Sequence, residues 1–284
     1  MQLVKRPTAT IASSRWSTAR TAWAWIGAHV AVVVGVVLSM SFVLAPWPFG
    51  QKVHALLHGL CAQRLSHSFL LGGQPLPFDA RMTGIYGGFL VAFCYLAANG
   101  RFRAWGDLSR PVLVVLATFV GVLAIDGTNS TLRDFGVWYL YEPDNRPRLA
   151  TGLLTGIALA TLLCYLLATT VWRNGDWTVA TVRGLPEVGL LVLLQGPLAA
   201  AVLSGMGVLF IPVSLWLVAA AAAVFVAMAL ALLTMVRRRD HAYRSFADLQ
   251  APLAASLVLA LAAMGTLAGL RYALEWWLGV PPML

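Results

Sequence analysis

Charge is scarce in this chain. Of its 284 residues, 11% are charged and 60% are hydrophobic. A soluble domain of this size cannot hide that much apolar surface, which excludes an ordinary globular fold and leaves the bilayer as the natural solvent. Acidic residues are scarcer still, 11 against 20 Lys and Arg. Cysteine is down to three scattered residues, Cys61, Cys94 and Cys164. That excludes a disulfide framework, and a cysteine inside an apolar run is most simply a small buried hydrophobe. The sequence has no Gly-rich phosphate loop, no nucleophile elbow and no zinc-protease helix, so no complete catalytic motif can be read. No aromatic-basic motif accompanies the formal charge of +9, so nucleic acid is not expected as a partner.

Long apolar runs are what the chain has instead. They cover Trp23 to Phe42, Gly84 to Ala98, Pro111 to Ile125, Leu149 to Trp172, Leu185 to Leu203, Val208 to Val236 and Ala251 to Leu278. A bilayer crossing needs roughly 20 apolar residues at 1.5 Å rise each, and a helix satisfies its own backbone hydrogen bonds in lipid. The expected fold is therefore all-α, a polytopic transmembrane helix bundle of about seven spans. The second and third runs are short and are expected to extend into their flanks or to sit in a thin part of the fold. With the N-terminus inside, 13 Lys and Arg fall on the cytoplasmic side, six fall outside, and Arg271 lies within the last span. The positive-inside rule then gives N-in and C-out. The expected organisation is a basic cytoplasmic tail over 1–20 and one transmembrane domain over 21–284. Its longest outer loops are about 45–83 and 126–148, the likeliest places for function. The first apolar run is longer than a signal-peptide core, and no small-x-small cleavage site follows it, so it reads as a retained helix.

Four groups of residues bear on chemistry. A short helix over Gln51 to Ser68 would put His54, His58 and Cys61 at i, i+4 and i+7 on one face. Such a set can hold a divalent metal, with Asp79 as a further ligand. The plainer reading is an interfacial amphipathic helix, because Val53, Leu56, Leu57 and Leu60 share the segment. Asp126 stands at the outer end of the third span, where a carboxylate needs a partner. Arg81, Arg133, Arg146 and Arg148 are available, and a structural ion pair is the plainer reading beside a substrate-binding acid. Arg271 and Glu275 are four apart in the last span and read as an i,i+4 pair with a snorkelling arginine. His29, in the first span, is of the type that ligates haem or a pigment, or that bonds a neighbouring helix. Packing signals accompany these groups. The pairs Gly84/Gly88 and Gly152/Gly156 allow close helix approach, Pro197 should kink the fifth span, and Trp276 and Trp277 suit an interfacial belt.

Two blocks resemble a known family. The first runs Cys61-Ala62-Gln63-Arg64, Ser68-Phe69, then Ala80-Arg81-Met82-Thr83-Gly84-Ile85-Tyr86-Gly87. The second holds Asp126-Gly127-Thr128-Asn129 and Asn145-Arg146-Pro147-Arg148-Leu149-Ala150-Thr151-Gly152, with Gly156 beyond. Over roughly Leu57 to Gly156 the chain resembles the domain-of-unknown-function family 2085, a group of bacterial and archaeal membrane proteins. The family pattern is Cys-His-Gln, then Arg-Ser-Phe, then Cys-Ala-Arg-Cys-Thr-Gly-Ile-Tyr. Here its histidine is Ala62, and its later cysteines are Asp79 and Met82, so only Cys61 of a soft-metal or redox ligand set remains. The resemblance implies that Arg81, Thr83, Gly84, Tyr86, Asp126 and Gly152 are scaffold residues.

The expectation is a non-catalytic integral membrane protein of the bacterial inner membrane, with the lipid bilayer and other membrane subunits as partners. It would serve as an accessory subunit of a larger complex, respiratory and photosynthetic assemblies being the candidates, and would hold no cofactor. The alternative is a membrane enzyme or carrier with a divalent metal or small solute between the two outer loops, or a haem or pigment at His29.

Overall fold

The computed structural model describes residues 44–280 and, ahead of them, His29, residues 33–35, Val37, Met40 and Ser41. The tail over 1–20 lies outside the described residues, as does most of the first apolar run. Among the described residues the chain is a helical bundle with two minor two-stranded β pairings. Its elements are α1 (Phe49–Leu57), β1 (Leu70–Leu71), β2 (Gln74–Pro75), α2 (Ala80–Ala98), β3 (Ala104–Gly106), α3 (Arg110–Asp134) and α4 (Asn145–Val171). They continue with β4 (Asp176–Ala180), α5 (Leu185–Leu193), α6 (Gly196–Leu203), α7 (Phe210–Val236) and α8 (Gln250–Trp277). Among the described residues six stretches are long and apolar enough to cross a membrane: α2, α3, α4, α5 with α6, α7 with its preceding turn, and α8.

The two short runs do extend. Asp79 caps α2, its carboxylate accepting from the Met82 amide at 2.8 Å, so the helix gains a turn before Gly84 and reaches about 28 Å. α3 continues past Asp126 to Asp134. The connection to α4 is therefore only residues 135–144, much shorter than the loop over 126–148 read from hydropathy. Polar residues in the last two turns of α3 had masked its helical continuation.

The centre is the crossing of α2 and α4. Gly84, Gly88, Gly152 and Gly156 form its contact, and a methyl group on any of them would fall within 2.4–2.8 Å of backbone on the opposite helix. Absence of side chains lets the two backbones touch, the usual device where lipid offers no hydrophobic drive for association. α3 packs on one side of α4, while α7 touches both central helices and carries α8. Phe89, Ile157, Cys164, Leu191 and Val224 belong to one buried cluster, and Leu57, Phe78, Leu149, Leu217 and Met264 to another.

The fifth span is kinked, its regular α-helix interrupted at Leu194 and Gln195, both of which keep αR backbone. Pro197 has no amide hydrogen for the Leu193 carbonyl, and the Gln195 amide turns to Val192 O at 3.1 Å. The freed Leu191 carbonyl accepts from the buried Gln195 side chain at 3.2 Å. Just beyond α6, where the Gly72 amide donates to Gly205 O at 2.9 Å, β1 and β2 join through Gly72 and Gly73, both at positive φ, the mirror-image turn that glycine makes without steric cost.

Candidate functional site

The Lys/Arg-poor end of the bundle gathers the residues singled out above into two clusters. The first joins α2, α3, α4 and the loop between the latter two. Asp126 is buried, and Arg81 reaches it from α2 with Nη2 at 2.6 Å and Nε at 3.2 Å from Oδ2. Tyr141 donates to the other carboxylate oxygen at 2.7 Å. Asn129, one turn on from Asp126, accepts from the amides of Leu140 and Tyr141 and donates to the Tyr141 carbonyl. It thereby fixes the loop that delivers the tyrosine. Ser130 donates to the Asp126 carbonyl at 2.9 Å and accepts from Arg81 at 3.2 Å and Arg148 at 3.4 Å. Arg148, buried, also donates to Asn145 at 2.9 Å. Burial, followed by the hydrogen bond to the Asp126 carboxylate, pushes the Tyr141 phenol up to about 12. Of the other cations considered for Asp126, Arg133 pairs instead with Glu142. Arg146 stands exposed, its amide capped by Asp144.

The second cluster ties the segment before α2 to the last helix. Here the single helical face proposed for His54, His58 and Cys61 does not form. α1 ends at Leu57, one turn of 3-10 helix covers His58–Leu60, and Cys61 is extended at φ −149°. A methyl on Gly59 would lie 2.4 Å from the backbone of α8, so tight docking on α8 accompanies the change of helix type. The three side chains accordingly do different things. His54 bonds Gly50 O at 2.8 Å. Cys61 Sγ accepts from the amides of Gln63 and Asp79 at 3.4 and 3.3 Å. His58, 1% exposed, stacks on Tyr272 at 4.1 Å and lies between Gln63 and Glu275.

The hydrogen-bond pattern assigns the His58 protons. Gln63 Nε2 donates to two backbone carbonyls, His54 O and Pro77 O, both at 3.0 Å, which fixes the amide orientation. Its Oε1 then faces His58 Nδ1 at 2.9 Å, and that nitrogen carries a hydrogen. His58 Nε2 lies 2.8 Å from Glu275 Oε2, a contact that needs a proton between the two atoms. Glu275 Oε1 accepts from Arg271 Nε at 2.8 Å. Arg271 does not simply snorkel: its remaining nitrogens donate to the carbonyls of His58 (2.6 Å), Cys61 and Ala62 (3.1 Å). An arginine that binds three carbonyls within residues 58–62 clamps the segment onto α8.

Gln63 was not singled out as a site residue, although it stands in the family-like block. It holds φ at +55°, a conformation uncommon outside glycine, and its three side-chain bonds offset that strain. Asn129 likewise lies in a family-like block; Tyr141 and Tyr272 carried no signal. Burial, followed by the Asp79 carboxylate, pushes the Cys61 thiol up to about 12, so it is a protonated thiol at neutral pH and a poor nucleophile. Among the described residues no group of three or more His, Cys, Asp or Glu side chains is placed to hold a metal ion. His29 is helical and exposed.

No curated protein and no solved structure matches the chain. Both blocks of the resemblance, and with them the Arg81–Asp126 cluster and the α2–α4 glycine crossing, fall in one matched segment: residues 61–162 fit the family model of domain of unknown function 2085, described as a predicted membrane protein.

Proposed function

We propose that the chain is a non-catalytic membrane scaffold, an accessory subunit that docks other membrane proteins. The observation that carries this reading is how the ligand-type residues spend their polar atoms. Both His58 nitrogens, the Cys61 sulfur, one oxygen of Asp79 and both carboxylate oxygens of Asp126 are engaged by other groups of the chain. These bonds tie segments of the bundle to one another or cap a helix, which is what a structural role asks of such groups. The loop after α3 supports a docking role. Phe135, Trp138 and Leu140 are strongly exposed there, on a surface continuous with the apolar outer face of α3, and residues of this kind anchor interfaces. On this reading the N-terminus is cytoplasmic, the membrane is a bacterial inner membrane, and the clusters described above face outward.

Extraction of the chain from its native membrane in a mild detergent tests the proposal. Co-elution with other membrane proteins at fixed stoichiometry is expected. Elution as a lone 30.5 kDa chain under every gentle condition would contradict it.

A further inference from the structure

The opposite, Lys/Arg-rich end of the bundle holds a cavity of about 460 Å³. It opens between the end of α2, with Tyr95 and the capping Asn99, the turn carrying Arg101, and the entry into α5 at Arg183, Glu187 and Leu190. Glu187 neutralises one of the two arginines in the lining and leaves a net positive charge. One carboxylate oxygen accepts from Arg101 Nη2 at 2.8 Å and from the Tyr95 hydroxyl at 3.2 Å. The other accepts from the Arg183 amide at 2.6 Å. Arg101 is 3% exposed. Its Nη1 donates to Ala180 O at 3.2 Å, while its Nε has no acceptor among the described residues. Arg183 is exposed and its guanidinium has no bonded acceptor among the described residues. The lining thus holds two guanidinium groups and one carboxylate, at the positive end of a helix that starts with an extended Gly184.

We propose that this cavity binds a phosphate-type anion, held by Arg183 and Arg101 at the start of α5. Guanidinium forks match phosphate oxygens in geometry as well as charge. Two sources supply that chemistry. One is a phospholipid headgroup: the cavity lies at the end of a span, and Leu190 and Leu193 continue from it along an exposed apolar face of α5, where an acyl chain would lie. The other is free phosphate.

Thermal unfolding of the full chain, purified and delipidated in maltoside detergent, tests the site. One arm adds phosphatidylglycerol and the other adds inorganic phosphate. Each is run on wild type, on Arg183→Gln, and on Arg237→Gln, which removes an exposed charge from the same end of the bundle but not from the cavity lining. A ligand that binds the folded state raises the midpoint with its concentration. Wild type and Arg237→Gln should respond alike. Arg183→Gln should lose on the order of tenfold in apparent affinity, the effect of one charge-assisted contact. An Arg183-dependent response to phosphate makes the anion itself the ligand. One confined to phosphatidylglycerol makes it a headgroup with its tail. Either supports the site. Equal responses in the two variants, or none in wild type, would overturn it.

Discussion

Gly152→Ala is the sharpest single perturbation of the bundle. The added methyl would lie 2.4 Å from Arg81 O, 2.9 Å from Gly84 Cα and 3.0 Å from Ile85 N, whereas ordinary contact begins at 3.4 Å. All three neighbours are backbone of α2, so no rotamer change relieves the overlap and the helices must separate by about 1 Å locally. Gly84, Gly88 and Gly156 make reciprocal contacts of 2.5–2.8 Å along the same crossing, so the displacement loosens the whole seam. Overpacking of this kind costs about 1–3 kcal/mol. Against it stands the gain from replacing glycine within a helix, about 0.8–1 kcal/mol. Gly265→Ala isolates that gain, because nothing lies within 4 Å of the methyl it would add. The helix-propensity gain is common to both variants and cancels, so they should differ by the overpacking cost, about 1–3 kcal/mol in unfolding free energy, measured in mixed micelles of a mild detergent and dodecyl sulfate. Gly152→Ala combined with Gly156→Ala should cost less than the sum, since one separation relieves both overlaps. Equal stability of Gly152→Ala and Gly265→Ala would refute the crossing described here.

Three further outcomes follow from the polar clusters. Arg81→Gln leaves the Asp126 carboxylate buried without its cation and should destabilise the chain by about 3–5 kcal/mol in the same unfolding assay. His58→Phe keeps the stack on Tyr272 but removes the partners of Gln63 and Glu275. It should cost about 2–4 kcal/mol, and limited proteolysis should then cut within residues 58–64, where the clamp on α8 has been weakened. Cys61 should alkylate slowly in the folded protein at pH 8. With the thiol at about 12 against an ordinary 9.0, its thiolate fraction is lower by about a thousandfold, and labelling should rise sharply once the chain is denatured. Between pH 9 and 12 the unfolded thiol ionises while the folded one keeps its proton, so this group's contribution to stability falls as pH rises. A Cys61→Ala variant should lack that part of the alkaline decline.

The helices were legible because bilayer crossing writes itself into composition: runs of Leu, Val and Ala have few other uses at that length. Glycine spacing in α2 and α4 was legible too, but not which helix each pair would meet, since four-residue spacing names a face and not a partner. Helix ends were misjudged where polar residues continue a span, as at Asp126 to Asp134. The helix drawn through His54, His58 and Cys61 failed for a tertiary reason. Docking of Gly59 and the Arg271 clamp end the regular turn after Leu57, and no local pattern announces a contact made more than 200 residues away. The same distance hid the bond between His58 and Glu275, and made Arg271–Glu275 look like an ordinary helical pair. Gln63 was visible only as a letter in a familiar block; its role depends on a left-handed backbone that composition does not encode.

The proposed role of the ligand-type residues at the Lys/Arg-poor end is to hold the fold together rather than to hold a metal ion. Elemental analysis of the chain, purified without chelators, tests it most directly when wild type is compared with His58→Gln. The expected result is a metal content far below one atom per chain in both proteins. One metal atom per chain in wild type, lost in His58→Gln, would contradict the account.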